Sequence, residues 1–353
     1  MKILLLSFII SSIVVFLWWF LFKKFKILDN PFKYKDLDRK TPVPKLMGVF
    51  LILASILSIV FLIPGYWKFT ETQALFAWWV FLWIIAILDE IKWISPKFRL
   101  LIQILVAIIG ILWWAMLTHI NFFWEIIQLP VFVWILLSLI WFVLIINSLN
   151  WFDWINWMWA WIATVWFFTI ALLIKFVIFP NYDIPPSEYK KLLLVLNLSL
   201  IFTSISFVAT LLELKPHWLI RDVGIMFLGY ALAYLSLLSW AKVGLLLVVL
   251  SLVIFDAFWV IINRLKNKQN PMKWDYTHFH HRLMRHWRKR EEIRAFVWIW
   301  AVFFMIIMIL QWTNSFNKLV IFGLIFIIFF WVHIYMYWIK KLPVWLWKRD
   351  ENI

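Results

Sequence analysis

The sequence predicts an all-α, polytopic integral membrane protein of about eleven transmembrane helices. Three observations carry this expectation. The 353 residues are 65% apolar and 15% charged, whereas soluble domains are about 45–50% apolar; a water-soluble fold could not cover so much apolar surface. Several windows run about 20 residues without a charge, the length a helix needs to cross a bilayer. In hydrocarbon the backbone must satisfy its own hydrogen bonds, which selects helices for these windows. The composition excludes disorder, and with no Cys there is no disulfide. The first apolar run, Ile3 to Phe22, is long enough to span and lacks a small-residue cleavage site, so a membrane span is expected there and not a cleavable signal peptide. One membrane-embedded domain, 1–353, is expected.

The expected spans are 3–22, 46–64, 73–88, 100–118, 131–147, 157–179, 192–212, 224–239, 243–262, 295–312 and 318–338. An odd count puts the termini on opposite sides. With the N-terminus outside, the inner segments are 23–45, 89–99, 148–156, 213–222, 263–294 and 339–353, and they hold 27 of the 34 Lys and Arg. The positive-inside rule then places the C-terminus on the cytoplasmic side, with the plasma (inner) membrane as the expected location. The net charge of +16 follows from topology and attraction to anionic lipid, with no nucleic acid needed.

The inner segments also collect most of the informative polar residues. Asp89 and Glu90 form an adjacent acidic pair at the end of the third span. Two neighbouring carboxylates repel unless a cation or proton is shared; the alternative is a solvated helix end. Asn147, Asn150, Asp153 and Asn156 recur every third residue, which on a helix puts four polar groups near one face in an apolar stretch. Such groups demand partners, so packing alone is a poor account of them. Asp222 opens the eighth span, either as a helix cap or as a ligand. His278, His280, His281 and Arg282 sit in the long basic loop. Close spacing and the adjacent Arg favour anion binding there; a structural zinc site lacks Cys and a second ligand pair. Lys40 and Lys45 flank Pro42 and Pro44, which stiffen the first inner loop. Asp256, near the inner end of the ninth span, is a weaker candidate. Carboxylates and amides suit Mg2+, which keeps waters and bridges phosphates, while Arg, Lys and His neutralise phosphate charge. The set therefore points to a diphosphate with a divalent cation, on a face that suits one soluble and one lipid-bound substrate.

Five segments, in order, resemble the polyprenyl-phosphate N-acetylhexosamine-1-phosphate transferases, glycosyltransferase family 4. They are DRKTPVPKLMG (Asp38 to Gly48), LDEIKWISPKFRLLIQ (Leu88 to Gln103), NSLNWFDWINWMWAW (Asn147 to Trp161), RDVGIMFLG (Arg221 to Gly229) and DYTHFHHRL (Asp275 to Leu283). The resemblance implies an undecaprenyl-phosphate GlcNAc-1-phosphate transferase-like enzyme. Such an enzyme moves N-acetylhexosamine-1-phosphate from a UDP-sugar to polyprenyl phosphate, releases UMP, and starts lipid-linked cell-wall or polysaccharide synthesis. It further implies Asp222 and Asp153 as ligands of Mg2+, with Mn2+ as a substitute, and Asp89, Glu90 and Asp153 as catalytic acids, Asp89 nearest the lipid phosphate. Asn147, Asn150 and Asp153 would hold uridine and diphosphate, with Asn156 near the uridine, and Lys40, Lys45, His278, His280, His281 and Arg282 would hold the phosphates. A homodimer is left open. The sequence departs from the family's pattern at Glu90, where Asp is usual, at Arg221 and Ile225 around Asp222, and at Asn156, where Asp is usual. Rival expectations are an inactive membrane scaffold and a lipid-linked-glycan transporter. The latter would place its polar groups at broken helices near the midplane.

The aromatic content is anomalous. There are 30 Trp and 7 Gly, where ordinary usage predicts about 25 Gly. Trp93, Trp154, Trp157, Trp161, Trp274 and Trp287 stand where the resemblance implies Gly, and Trp240 lies at the tight join between the eighth and ninth spans. Four large rings around Asp153 would fill the space where backbone must approach a nucleotide, an approach Gly permits. An interfacial aromatic belt accounts for Trp18, Trp19, Trp78 and Trp79, but not for the Gly shortage. The expectation is that the gene uses UGA as a Gly codon and that these Trp letters arise from reading it as Trp. The rival is a degenerate homologue with genuine Trp.

Overall fold

The computed structural model describes residues 2–26, 28–29, 43–44, 47–91, 95–113, 115–116, 119–122, 125–151, 158–214, 221–239, 251–268, 290–310, 320–321, 323–328 and 330–331. Ten long helices account for most of them: α1 (Lys2–Lys24), α2 (Met47–Leu62), α3 (Thr70–Ile91), α4 (Pro96–Leu112), α5 (Val131–Trp151), α6 (Met158–Asn181), α7 (Pro186–Glu213), α8 (Arg221–Leu238), α9 (Ser251–Lys266) and α10 (Arg290–Leu310). Each falls on one of the first ten expected spans. The described residues of the eleventh, 320–321, 323–328 and 330–331, are helical.

By length and composition α1, α6 and α7, with Val131–Asn150 of α5, can each cross a membrane; α2, α8 and α10 contain shorter apolar stretches. α1 is peripheral, with 17% of its most apolar window buried, and presents Leu5, Ile9, Ile13 and Phe16 outward. α7 is central, with 78% of its window buried, as expected for a helix apolar on every side. Several of its hydroxyls are satisfied by folding back on the helix, while the buried Ser199 hydroxyl has no partner among the described residues. Thr203, Ser206 and Thr210 donate to the carbonyls four residues earlier, at 2.7, 2.6 and 2.8 Å. Ser204 also reaches the Leu4 carbonyl of α1 at 2.7 Å, beside the Phe8–Phe207 ring contact. α1 turns its buried Ser7 and Ser11 inward, the small-residue spacing that lets membrane helices approach.

Local sequence sets the helix ends. Gly65, at φ 70°, takes the left-handed conformation that leads from α2 into a short 3-10 turn, Tyr66–Lys68. Ser95 caps α4, its hydroxyl accepting from the Phe98 amide at 3.3 Å, with Pro96 at the first helical position. α6 widens into a π turn at Ile174–Ile178 just before Pro180, whose ring and missing N–H do not fit an unbroken α-helical ladder.

Three expectations need correction. The fourth span was expected over 100–118, but α4 ends at Leu112. The chain then forms an antiparallel pair, β3 (His119–Phe122) with β4 (Glu125–Gln128); a short apolar run does not distinguish helix from strand. The stretch between α1 and α2 is also not purely irregular, since β1 (Leu28–Asp29) pairs with β2 (Val43–Pro44) there. Finally, Trp78 and Trp79, expected in an interfacial belt, are 0% and 1% exposed. They pack against Tyr230 and Phe227 of α8 at 4.8 and 5.7 Å between ring centroids.

Candidate active site

The register of four helices decides which polar residues share an end of the bundle. On α3 and α8, Glu71 pairs with Tyr234, Trp78 with Tyr230 and Trp79 with Phe227. The numbers rise on one helix as they fall on the other, so the two are antiparallel. On α5 and α8, Trp141 meets Ser236 and the Ile146 backbone meets Gly229; these too are antiparallel. On α4 and α5, Gly110 meets Phe142 and Gln103 meets Asn147, again antiparallel. The C-terminal ends of α3 and α5 therefore lie at the same end of the bundle as the N-terminal ends of α4 and α8. At 1.5 Å per residue, Asp222 lies about 10 Å along α8 from Gly229, and Asn150 about 6 Å along α5 from Ile146. Asp89 lies about 15 Å along α3 from Trp79.

That shared end carries Asp89 and Glu90 in the last turn of α3, Asn147 and Asn150 in the last turns of α5, and Asp222 in the first turn of α8. Lys97 and Arg99, at the start of α4, join them. Lys40, Lys45, Asp153, Asn156, His278, His280, His281 and Arg282 lie outside the described residues, as do the side chains of Asp89, Glu90 and Asp222. The three-residue repeat is thus on described helix only at Asn147 and Asn150. Among the described residues no group of three or more His, Asp or Glu forms a metal cluster.

Asn147 has the best-defined environment. Its Nδ2 donates to Gln103 Oε1 at 2.6 Å and to the Val143 carbonyl at 2.8 Å, and its Oδ1 accepts from Gln103 Nε2 at 3.3 Å. The Val143 carbonyl can only accept, so it fixes which amide atom is nitrogen. Both amide protons are engaged inside the bundle. The remaining capacity of Asn147 is one lone pair on Oδ1, which takes a donor such as a ring N–H, a hydroxyl or water. A phosphate oxygen offers no donor. The same lone pair also suits a divalent cation.

Gln103 is 2% exposed. It belongs to the motif quoted above, but no role was read for it, because its partner lies 44 residues away in sequence. Glu213, at the end of α7, and Asp256 and Arg264 on α9 are buried ionisable residues among the described residues. Asp256 was singled out from the sequence; Glu213 and Arg264 were not.

Of the seven Trp positions flagged as Gly-like, Trp161 is described. It is half-buried, its ring lies 4.8 Å from that of Trp298, and its indole N–H has no partner. Trp93, Trp154, Trp157, Trp240, Trp274 and Trp287 lie outside the described residues.

The bundle has helices apolar and long enough to cross a membrane and gathers the sequence positions of acids, amides and bases at one end. Residues 72–240 match the family model described as Glycosyl transferase family 4. The match runs from the first turn of α3 to just past α8. It contains every helix end that converges on the site, but neither Lys40 and Lys45 nor the His278–Arg282 segment. A curated relative from Bacillus subtilis (strain 168), described as a probable undecaprenyl-phosphate N-acetylglucosaminyl 1-phosphate transferase, is 35% identical over 98 residues. That alignment covers 26% of this chain and 27% of the relative, so the chain matches about a quarter of that protein's length.

Proposed function

We propose that this chain transfers N-acetylhexosamine-1-phosphate, with GlcNAc the expected sugar, from a UDP-sugar to a polyprenyl phosphate such as undecaprenyl phosphate. The observation that carries this reading is the antiparallel register of α3, α4, α5 and α8, which brings Asp89, Glu90, Asn147, Asn150 and Asp222 to one end of the bundle within the segment that matches the family. About eleven spans, an outside N-terminus and a cytoplasmic reaction face at the plasma membrane complete the proposal, on the Lys and Arg distribution.

The chemistry is a phosphoryl transfer, in which positioning and electrostatics supply most of the catalysis. A lipid phosphate oxygen attacks the sugar-side phosphorus. The bond from that phosphorus to the bridging oxygen breaks, and UMP leaves with the electron pair. Asp89 or Glu90 holds the proton removed from the lipid phosphate if it arrives protonated. Asn147 and Asn150 orient the uridine, with Asn147 accepting from it. Asp153 and Asn156 extend that face. Lys40, Lys45, His278, His280, His281 and Arg282 neutralise the phosphates. The carboxylate chemistry of the converging end fits a divalent cation; Asp222 and Asp153 would hold Mg2+, which supplies charge neutralisation on the diphosphate.

The test is transfer of radiolabel from UDP-GlcNAc to undecaprenyl phosphate by protein purified from its native membrane. Label entering the lipid phase with release of UMP is the expected result. Asp89→Asn and Asp222→Ala should each abolish transfer, and EDTA should do so reversibly on adding Mg2+. Full activity in either variant, or in EDTA, rejects the assigned role. A native protein that folds but binds no UDP-sugar would instead be a scaffold.

A further inference from the structure

The bundle sorts its tryptophans by what their indole N–H groups can reach. Trp141 of α5 is 5% exposed and donates to the Ser236 hydroxyl of α8 at 3.0 Å. This is how a buried Trp is normally accommodated. Trp78 and Trp79 of α3 and Trp159 and Trp166 of α6 are 0–1% exposed, and none of their four N–H groups has a partner. In a lipid-embedded bundle no water compensates such a group. Indole nitrogens make up most of the buried polar side-chain atoms without a partner among the described residues. The neighbouring hydroxyls of Thr164 and Thr169 on α6 are satisfied, at 2.8 and 2.7 Å to the carbonyls four residues earlier.

The same positions have small-residue spacing. Trp78 follows Ala74 by four residues, and Trp159 precedes Ala163 by four; both alanines are 0% exposed. Small residues four apart are what close helix contacts in membranes use. The glycines that remain show that this bundle needs such contacts. A Cβ on Gly229 would lie 2.9 Å from the Ile146 Cα, and one on Gly110 would lie 2.7 Å from the Phe142 ring. Gly is commoner in membrane helices than in soluble ones, which makes 7 Gly beside 30 Trp a deeper shortfall. A further case lies in the β3–β4 register. Phe122 pairs with Glu125, and the sequence between them is Phe123-Trp124, where two-residue connections favour Asn-Gly and its relatives.

We infer that in the native protein Trp78, Trp79, Trp159 and Trp166 are glycines, encoded by UGA read as Gly, while Trp141 is a genuine tryptophan encoded by UGG. This extends the recoding expected around Asp153 into the helix core and supplies a rule for telling the two kinds of Trp apart. The inference does not rest on the proposed sugar-phosphate transfer, because its readouts are covalent mass and codon identity.

The experiment is peptide mass spectrometry on the protein purified from its native membranes, with sequencing of its gene. The expected result is peptides lighter by the Trp-to-Gly difference at 78, 79, 159 and 166, each over a UGA codon, with Trp mass at 141 over UGG. Trp mass at the four core positions, or UGG codons there, overturns the inference. Gly at 141 overturns the sorting rule. As an independent readout, two synthetic genes are expressed in a host that reads UGG as Trp, one with Trp and one with Gly at the four positions. The Gly version should elute as a monodisperse membrane protein and the Trp version should aggregate; the reverse order overturns the inference.

Discussion

Asn147 shows how a single amide can be restricted by its own fold. With both protons engaged by Gln103 and Val143, what it offers a ligand is an oxygen lone pair, for a proton donor or a cation. In the proposed enzyme Gln103 would be a positioning residue, because its amide holds the Asn147 side chain in one orientation. Gln103→Leu should raise KM for the UDP-sugar several-fold while kcat changes less, because an orienting contact to the nucleotide weakens and the reacting groups stay in place. A fall in kcat with KM unchanged would count against the positioning role. Unfolding measured in detergent checks that the variant is folded, since an amide left unpaired costs about 1–3 kcal/mol. The three-residue spacing made Asn147 and Asn150 visible in the sequence. Gln103 carried no such signal, because nothing local in an apolar helix states which distant amide it will meet.

At the scale of helices, Gly229 marks a close approach of α5 and α8, where an added Cβ would lie 2.9 Å from the Ile146 Cα. Its neighbour is the Ile146 backbone, which cannot rotate aside, whereas Gly110 faces a Phe142 ring. Gly229→Ala should therefore push α5 and α8 apart and destabilise the protein by about 1–3 kcal/mol, in the range of overpacked cores. Gly110→Ala should cost less. Thermal unfolding in detergent would rank them, and equal stabilities would remove the case for a close α5–α8 approach. Helix positions were legible from apolar length alone, because lipid leaves the backbone few choices. The end of α4 was not. Trp113 to Thr118 is apolar enough to extend a helix, and only pairing between His119–Phe122 and Glu125–Gln128 reveals the turn into β structure. The crowding of Trp78 and Trp79 was equally hidden, since hydropathy does not separate a ring facing lipid from one facing another helix.

For the molecule as a whole, orientation is the property that the Lys and Arg pattern addresses and helix packing leaves free. The absence of Cys makes this simple to test. Single substitutions Asp183→Cys and Lys266→Cys, both at exposed positions, should differ in intact cells. A membrane-impermeant maleimide should label the first at once and the second only after lysis. The opposite pattern would invert the proposed topology and move the reaction face outside. The convergence of acids and amides at one end needed distant helices to be antiparallel in a particular register, which the motif order suggested and pairings such as Trp141–Ser236 supply.

The bond between Ser204 and the Leu4 carbonyl joins groups 200 residues apart. At translation rates of about 5–20 residues per second, α1 enters the bilayer about 10–40 s before its partner on α7 exists. During that interval Ser7 and Ser11 have only their own helix to bond to, at the Leu4 and Ser7 carbonyls. α1 meanwhile has its early neighbour α2 to pack on, so a chain cut short before α7 would keep that helix pair and lack the late tie from Ser204.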